Sequence, residues 1–370
     1  MNIIWFSEIK WNYLKTRKQQ IISRFPDNSS VLYIEPISKK LSNNYSPIDY
    51  KHIKAVTIPQ LRSVSNRLLN KILSFSFIRT IVNTLATFWF KFLFYKAIKE
   101  TNCIITSNVY WSQLIKTFKI KNPELTIIYD CNDNPLAFPG TPDYKKKYFL
   151  ETLSLVNKII IPHSSYKSFI PPKFYSKIDI IANGVDYELF QVKSKPLDKM
   201  KNINKPIIIY IGAISEWFDF NLTKYLLNNS SYNFVLIGPV SKNAINSLNE
   251  ISKHNRLHYF NAISHEEIPY YLLDADVCII PFIKNELTES VLPNKLFEYS
   301  ATGKPSVITN FNNSLNEFSD FVSIISDKKE FVNEINNQIN NPRSPKSLKV
   351  FAKKFDWNII SSEFYELIKN

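Results

Sequence analysis

Ile207-Ile208-Ile209-Tyr210-Ile211-Gly212, followed by Phe234-Val235-Leu236-Ile237-Gly238, carries the pattern from which the fold is read. Each is a continuous apolar run with no polar alternate face, as expected of a parallel strand covered by helices on both sides. Each also ends on glycine. Only five glycines occur in 370 residues, Gly140, Gly184, Gly212, Gly238 and Gly303, where average usage of about 7% would give roughly 26. A residue used so sparingly survives where the backbone demands it. Open α/β sheets place their ligands at the carboxyl ends of strands, so Gly212 and Gly238 mark candidate binding positions. A tight turn explains any one glycine alone, as for Gly184 in Asn-Gly-Val-Asp and Gly303 in Ala-Thr-Gly-Lys-Pro. Their joint placement argues for a ligand site.

Outward from these runs, short apolar stretches alternate with helical ones along the chain. Ile3–Phe6, Val31–Glu35, Ile53–Ile58, Cys103–Ser107, Thr126–Tyr129, Lys158–Pro162 and Ile178–Ile181 precede them; Leu257–Phe260, Val277–Pro281 and Ser306–Thr309 follow. This alternation predicts an α/β protein of two doubly wound, Rossmann-like domains, and 370 residues suit two domains. Gln191–Lys205, where Lys, Pro, Asn and Asp accumulate and the strand pattern stops, reads as the join. The expected domains are therefore 1–190 and 191–354. At the chain's end, Trp357, Ile360, Phe364, Leu367 and Ile368 form a helical apolar stripe that must be buried.

A hydrophobic content of 45% excludes a disordered chain. Cys103, Cys131 and Cys278 lie far apart within or beside apolar runs, without a C-x-x-C pair or zinc-type spacing, and read as buried thiols of a reducing compartment. Met1–Phe6 lacks the basic start and long apolar stretch of a signal peptide, so a cytoplasmic location is expected.

The net charge of +14 is unevenly spread: residues 1–190 hold 26 of the 46 Lys+Arg and 13 of the 32 Asp+Glu. From Tyr50 to Lys99 there is no acidic residue, while Arg62, Arg67, Lys71, Arg79 and Lys91 are interleaved with Phe75, Phe77, Phe88, Trp89, Phe90 and Phe92. A basic, aromatic-rich, helix-compatible stretch suits an anionic membrane surface, with Arg67, Lys71, Arg79 and Trp89 as its contacts. Core helices with solvated lysines are the alternative. The longest uncharged run there, Thr80–Phe90, falls well short of the roughly 20 residues a spanning helix needs.

The segment Pro293-Asn-Lys-Leu-Phe-Glu-Tyr-Ser-Ala-Thr-Gly-Lys-Pro305 resembles the donor-binding signature of GT-B glycosyltransferases, most closely family 4 and its teichuronic-acid-type bacterial relatives. Tyr210–Asp219, Phe234–Pro239, Asp276–Phe282 and Asn183–Asp186 agree in order and spacing. Trp11–Gln19 with its Arg17, Tyr129–Asp133 and Phe355–Trp357 extend the resemblance more weakly. The resemblance implies two domains facing across a cleft, with residues 355–370 crossing back to the first. It also implies transfer of a sugar from a nucleotide-sugar donor, UDP-type rather than GDP-type, to a cell-surface glycan or lipid-linked acceptor. Configuration would be retained, with no metal or other cofactor.

Lys295 and Glu298, three apart on one helix, share a face. By resemblance Glu298 accepts the ribose hydroxyls; Lys295 adds a point charge near the diphosphate, and Pro293 opens a helix whose amides face it. An ordinary surface contact is the alternative for this pair. The family's second glutamate, eight residues earlier, is here Ser290, leaving Thr288 or Glu289 as substitutes in the sugar contact. Glu216 and Asp219 are candidates for sugar hydroxyls or for capping the next helix. On the acceptor side Asp130 and Asp133 follow a strand and precede Pro135 and Pro139, where either would orient the acceptor hydroxyl or stabilise developing positive charge, a turn cap being the alternative. His163, which follows another strand, is a further catalytic candidate with a structural role as the alternative, and Arg17 and Asn183 are cleft candidates. Nucleic-acid binding is disfavoured because the charge sits in one half with no recognised motif. A sugar-nucleotide epimerase or a phosphorylase on the same fold would share the nucleotide or phosphate logic, and the epimerase fits the basic first half less well.

Overall fold

The computed structural model describes residues 1–370 except Leu14, Lys39, Lys40, 61–66, Pro139, 194–199 and Asn370, and Arg67 by its backbone alone. Arg62, the Arg67 side chain, Pro139 and the middle of the expected join therefore lie outside the described residues. The chain divides into two compact units, Met1–Ala182 with Ile360–Asn370, and Asn183–Ile359.

The first unit holds β1 (Asn2–Phe6), β2 (Ser30–Glu35), β3 (Ile48–Tyr50), β4 (Ile53–Thr57), β5 (Cys103–Thr106), β6 (Thr126–Asp130), β7 (Lys158–Ile161) and β8 (Ile178–Ile180), in the spatial order β3-β4-β2-β1-β5-β6-β7-β8. All neighbours are parallel except β3 and β4. Ile dominates the central strands, whose side chains are buried on both faces. That pattern is the physical content of an unalternated apolar run. From Ile360 on, the closing helix Trp357–Lys369 belongs to this unit. Phe364 stacks on Trp5 at 5.7 Å, and the Ser361 hydroxyl donates to the Ile21 carbonyl at 2.7 Å.

The second unit holds β9 (Ile207–Ile211), β10 (Asn233–Ile237), β11 (Leu257–Phe260), β12 (Val277–Ile280), β13 (Ser306–Thr309) and β14 (Ser323–Ile325), all parallel, ordered β11-β10-β9-β12-β13-β14. Each sheet reverses its winding once, between β1 and β5 in the first and between β9 and β12 in the second. These are the topological switch points, at whose strand carboxyl ends open α/β sheets take their ligands.

Every expected strand is present. The two not expected, β3 and β14, are three residues long. The three cysteines are free and buried, on β5 and β12 and directly after β6. Among the described residues no helix is long and apolar enough to cross a membrane.

Candidate active site

At the second unit's switch point, the loops leaving β9 and β12 are tied together. Asp219 N–H donates to the Pro281 carbonyl at 2.7 Å, and Ile283 N–H to the Trp217 carbonyl at 2.8 Å. Gly212 and Gly238 lie side by side beneath them, with positive φ of 151° and 147°. A Cβ on Gly238 would come within 2.1 Å of the Gly212 carbonyl oxygen; one on Gly212 would meet Lys295 Cε at 2.2 Å. Gly212 is thus the floor on which the Lys295 side chain rests.

Lys295 opens the helix Lys295–Ala301, and its ammonium lies 5.5 Å and 5.9 Å from the ring centroids of Tyr210 and Phe282. Among the described residues it makes no hydrogen bond or ion pair. Desolvation lowers its pKa, and the carboxylate of Glu298 one turn on opposes that shift. Glu298 is mostly buried, with its carboxylate 3.6 Å from His265 Nε2. His265 itself packs edge-on against Phe190 at 5.8 Å. His265 was not singled out in the sequence. It sits in an irregular loop after β11, and its partner is 33 positions away (298 − 265), so no local spacing could announce it.

Pro293 stands one residue before the cap, Asn294, rather than in the first helical turn; its carbonyl accepts from Leu296 N–H at 3.1 Å. Asn183, buried, donates from Nδ2 to the Leu292 carbonyl at 3.0 Å and so holds the segment leading to Pro293 and Lys295.

Four other candidates in this unit are engaged locally. The Asp219 carboxylate accepts from Leu222 N–H at 2.8 Å, a helix cap. Glu216, exposed, accepts from Asn243 Nδ2 at 2.7 Å and from the Ser215 hydroxyl. The Thr288 hydroxyl is a correction: it is buried, donates to the Ile283 carbonyl at 2.6 Å and accepts from Asn285 N–H at 2.9 Å, so it closes its own loop instead of facing a ligand. Glu289 is half exposed, 3.6 Å from Lys284.

The first unit's switch point carries a cavity of about 360 Å³ lined by Glu8, Ser107, Asn108, Asn132, Asp133 and Lys145 among others. Asp133 is exposed at the cavity. Desolvation raises its carboxyl to about 7, against the pull of Lys18 and Lys145 and with the push of Glu8 and Asp130. Lys145 is lowered by desolvation, partly offset by Glu8 and Asp133.

Asp130 does not join this cavity. It is fully buried, and its Oδ1 accepts from Arg17 Nε at 3.1 Å, while Arg17 also donates to the Ala182 carbonyl at 2.6 Å. Against the expectation of a catalytic Asp130 and a cleft-facing Arg17, the carboxylate and guanidinium are enclosed together and tie β6 to the helix Arg17–Ile22. His163 is likewise a cap, its Nδ1 accepting from Ser165 N–H at 3.2 Å. Arg79, expected at a membrane surface, is also a correction. It is buried, donates to the carbonyls of Leu73 and Ser74 at 2.6 and 2.7 Å, and lies 4.4 Å over the Tyr144 ring. Lys71 and Trp89 are exposed.

Residues 194–355 match the family model described as Glycosyl transferases group 1. The chain is 30% identical over 137 residues to TuaH of Bacillus subtilis (strain 168), by name a teichuronic acid biosynthesis glycosyltransferase; the match covers 36% of this chain and about a third, 34%, of that relative. Alr3699/HepE of Anabaena, solved in complex with UDP, superposes with a TM-score of 0.72 at 14% identity over 100% of both chains. Sucrose-phosphate synthase of Thermosynechococcus elongatus superposes with a TM-score of 0.74 at 12% identity, over 100% of this chain and 98% of its own. Residues 194–355 are thus similar to a group 1 glycosyl transferase domain, and over its whole length the chain has the GT-B fold of the solved structures on which it superposes.

Proposed function

We propose that this protein is a glycosyltransferase of cell-surface polysaccharide synthesis. It takes a sugar from a UDP-type donor bound at the β9/β12 switch point and passes it to an acceptor bound at the β1/β5 switch point. The observation that carries this reading is Lys295, a partly desolvated ammonium with no anionic partner in hydrogen-bond reach among the described residues, resting on Gly212 at a strand's carboxyl end. A partly desolvated ammonium without a hydrogen-bonded anion is costly, and a diphosphate would supply one. Glu298, one turn on, accepts the two ribose hydroxyls through its two carboxylate oxygens. The UDP bound in the HepE structure and the name of TuaH support the donor and the surface-glycan pathway respectively. Retention of configuration is part of the proposal and rests on the likeness of residues 293–305 to family 4.

In the first unit, Asp133 is the residue we assign to the acceptor hydroxyl, whose proton it accepts or orients from a cavity flanked by Asn108, Asn132 and Lys145. The acid-free stretch from Tyr50 to Lys99 supports work at the cytoplasmic face of a membrane, where a lipid-linked acceptor is met.

Thermal shift across a panel of nucleotides and nucleotide sugars tests the reading, since a bound ligand raises the melting temperature. UDP and one or more UDP-sugars should stabilise the wild type. Glu298→Gln, which keeps the shape and loses charge-assisted bonds, should weaken UDP affinity by about 1.5–3 kcal/mol without lowering the unliganded melting temperature. No stabilisation by any nucleotide, or equal UDP affinity in the variant, would sink the assignment.

A further inference from the structure

The helix Ser76–Leu93 is built inside out. Its inward face carries Arg79, Asn83, Ala86 and Phe90, with Asn83 Nδ2 donating to the Tyr148 hydroxyl at 3.3 Å. Its outward face carries Phe77, Ile81, Leu85, Phe88 and Phe92, spaced by three and four residues and between 52% and 76% exposed. Monomeric proteins rarely leave a contiguous apolar stripe of this kind in water. Beside the stripe an apolar groove opens between this helix and Ile37, Pro59 and Gln60, at the ends of β2 and β4.

We propose that this groove holds the hydrocarbon chain of a lipid-linked acceptor, whose phosphate-bearing head turns toward the cavity at the β1/β5 switch point. The inference rests on the glycosyl-transfer reading above and names its acceptor. Groove and cavity adjoin along the chain: consecutive residues Pro36 and Ile37 line the cavity and the groove respectively. Gln60, in the groove, donates to the carbonyl of Ser7 at 3.4 Å, next to Glu8 in the cavity. A molecule with an apolar tail and a polar head matches that sequence of surfaces. The charge fits as well, because Lys71, Lys91 and Lys96 flank the stripe in a segment without acidic residues, which complements a phosphate or an anionic bilayer. An apolar, cationic face of this kind is the interfacial arrangement of helices that lie in a membrane surface.

The test is photolabelling in neutral detergent micelles with a polyisoprenyl monophosphate carrying a diazirine near the end of its tail, read by peptide mapping. Label is expected on Ser76–Leu93 and around Pro59–Gln60. Leu85→Asn with Phe88→Asn, both at exposed positions and hence compatible with folding, should lower it about tenfold. Label scattered over the surface, or unchanged in the double variant, overturns the proposal. So does a water-soluble short-chain phosphate that competes as well as the long-chain one, because the head alone would then be recognised. A dimer seen by light scattering and dissolved by the same double variant would assign the groove to a second copy. Calorimetric UDP binding by the wild-type chain tests the glycosyltransferase reading separately. UDP bound without groove label overturns the groove alone; groove label without UDP binding overturns the donor assignment alone.

Discussion

Asp133 and Asp130 stand three residues apart and live in opposite environments. Asp130 is sealed with Arg17, whereas Asp133 opens into a cavity that desolvates it enough to lift its carboxyl from 3.8 to about 7. Between about pH 4 and 7 the folded protein keeps a proton there that the unfolded chain has released. Asp133 therefore favours the folded state at the acid end, and this contribution is lost as pH rises through about 7. Solvent on the cavity side reduces the slope below its full linkage value. Asp133→Asn should flatten the pH dependence of the melting temperature over that window and abolish a rise in kcat/KM through about pH 7. An unaltered pH profile of both quantities would remove Asp133 from the acceptor site.

Among the elements, the helix Ser76–Leu93 separates two basic residues that look alike in the sequence. Arg79 bonds two carbonyls at the turn before the helix and stacks on Tyr144; Lys71 is exposed. Arg79→Glu should cost about 3 kcal/mol or more through lost charged hydrogen bonds, while Lys71→Glu should leave stability within about 0.5 kcal/mol; chemical denaturation measures both, and equal costs would contradict the inward placement of Arg79. The strands were legible because an unalternated Ile/Val run has few other fates. Glycine scarcity made Gly212 and Gly238 legible as well, since a Cβ at either would collide with its surroundings. Ile48–Tyr50, with Asp49 at its centre, offered no apolar run to read. Thr288, Asp219 and His163 were ambiguous for a different reason: a polar side chain after a strand is equally suited to a ligand and to a neighbouring amide, and only the fold reveals which it meets. His265 depended on a long-range approach that no local motif encodes.

For the whole molecule, the excess positive charge of the first 190 residues predicts reversible attachment to anionic vesicles, weak attachment to neutral ones and partial release at high salt. Reversing Lys71 and Lys96, both exposed, should lower affinity for anionic vesicles by about 2 kcal/mol or more, at about 1 kcal/mol for each engaged charge; equal co-sedimentation of wild type and variant would rule these two lysines out. The three sealed thiols have a further use. Burial pushes Cys103 up to about 12 and raises Cys131 and Cys278 as well, so none is an effective nucleophile in the native protein. Two lie in one compact unit and the third in the other. Alkylation by a maleimide therefore waits for opening of the unit that encloses each sulfur, and mass spectrometry of the labelled peptides would time the unfolding of the two halves separately with no engineered probe.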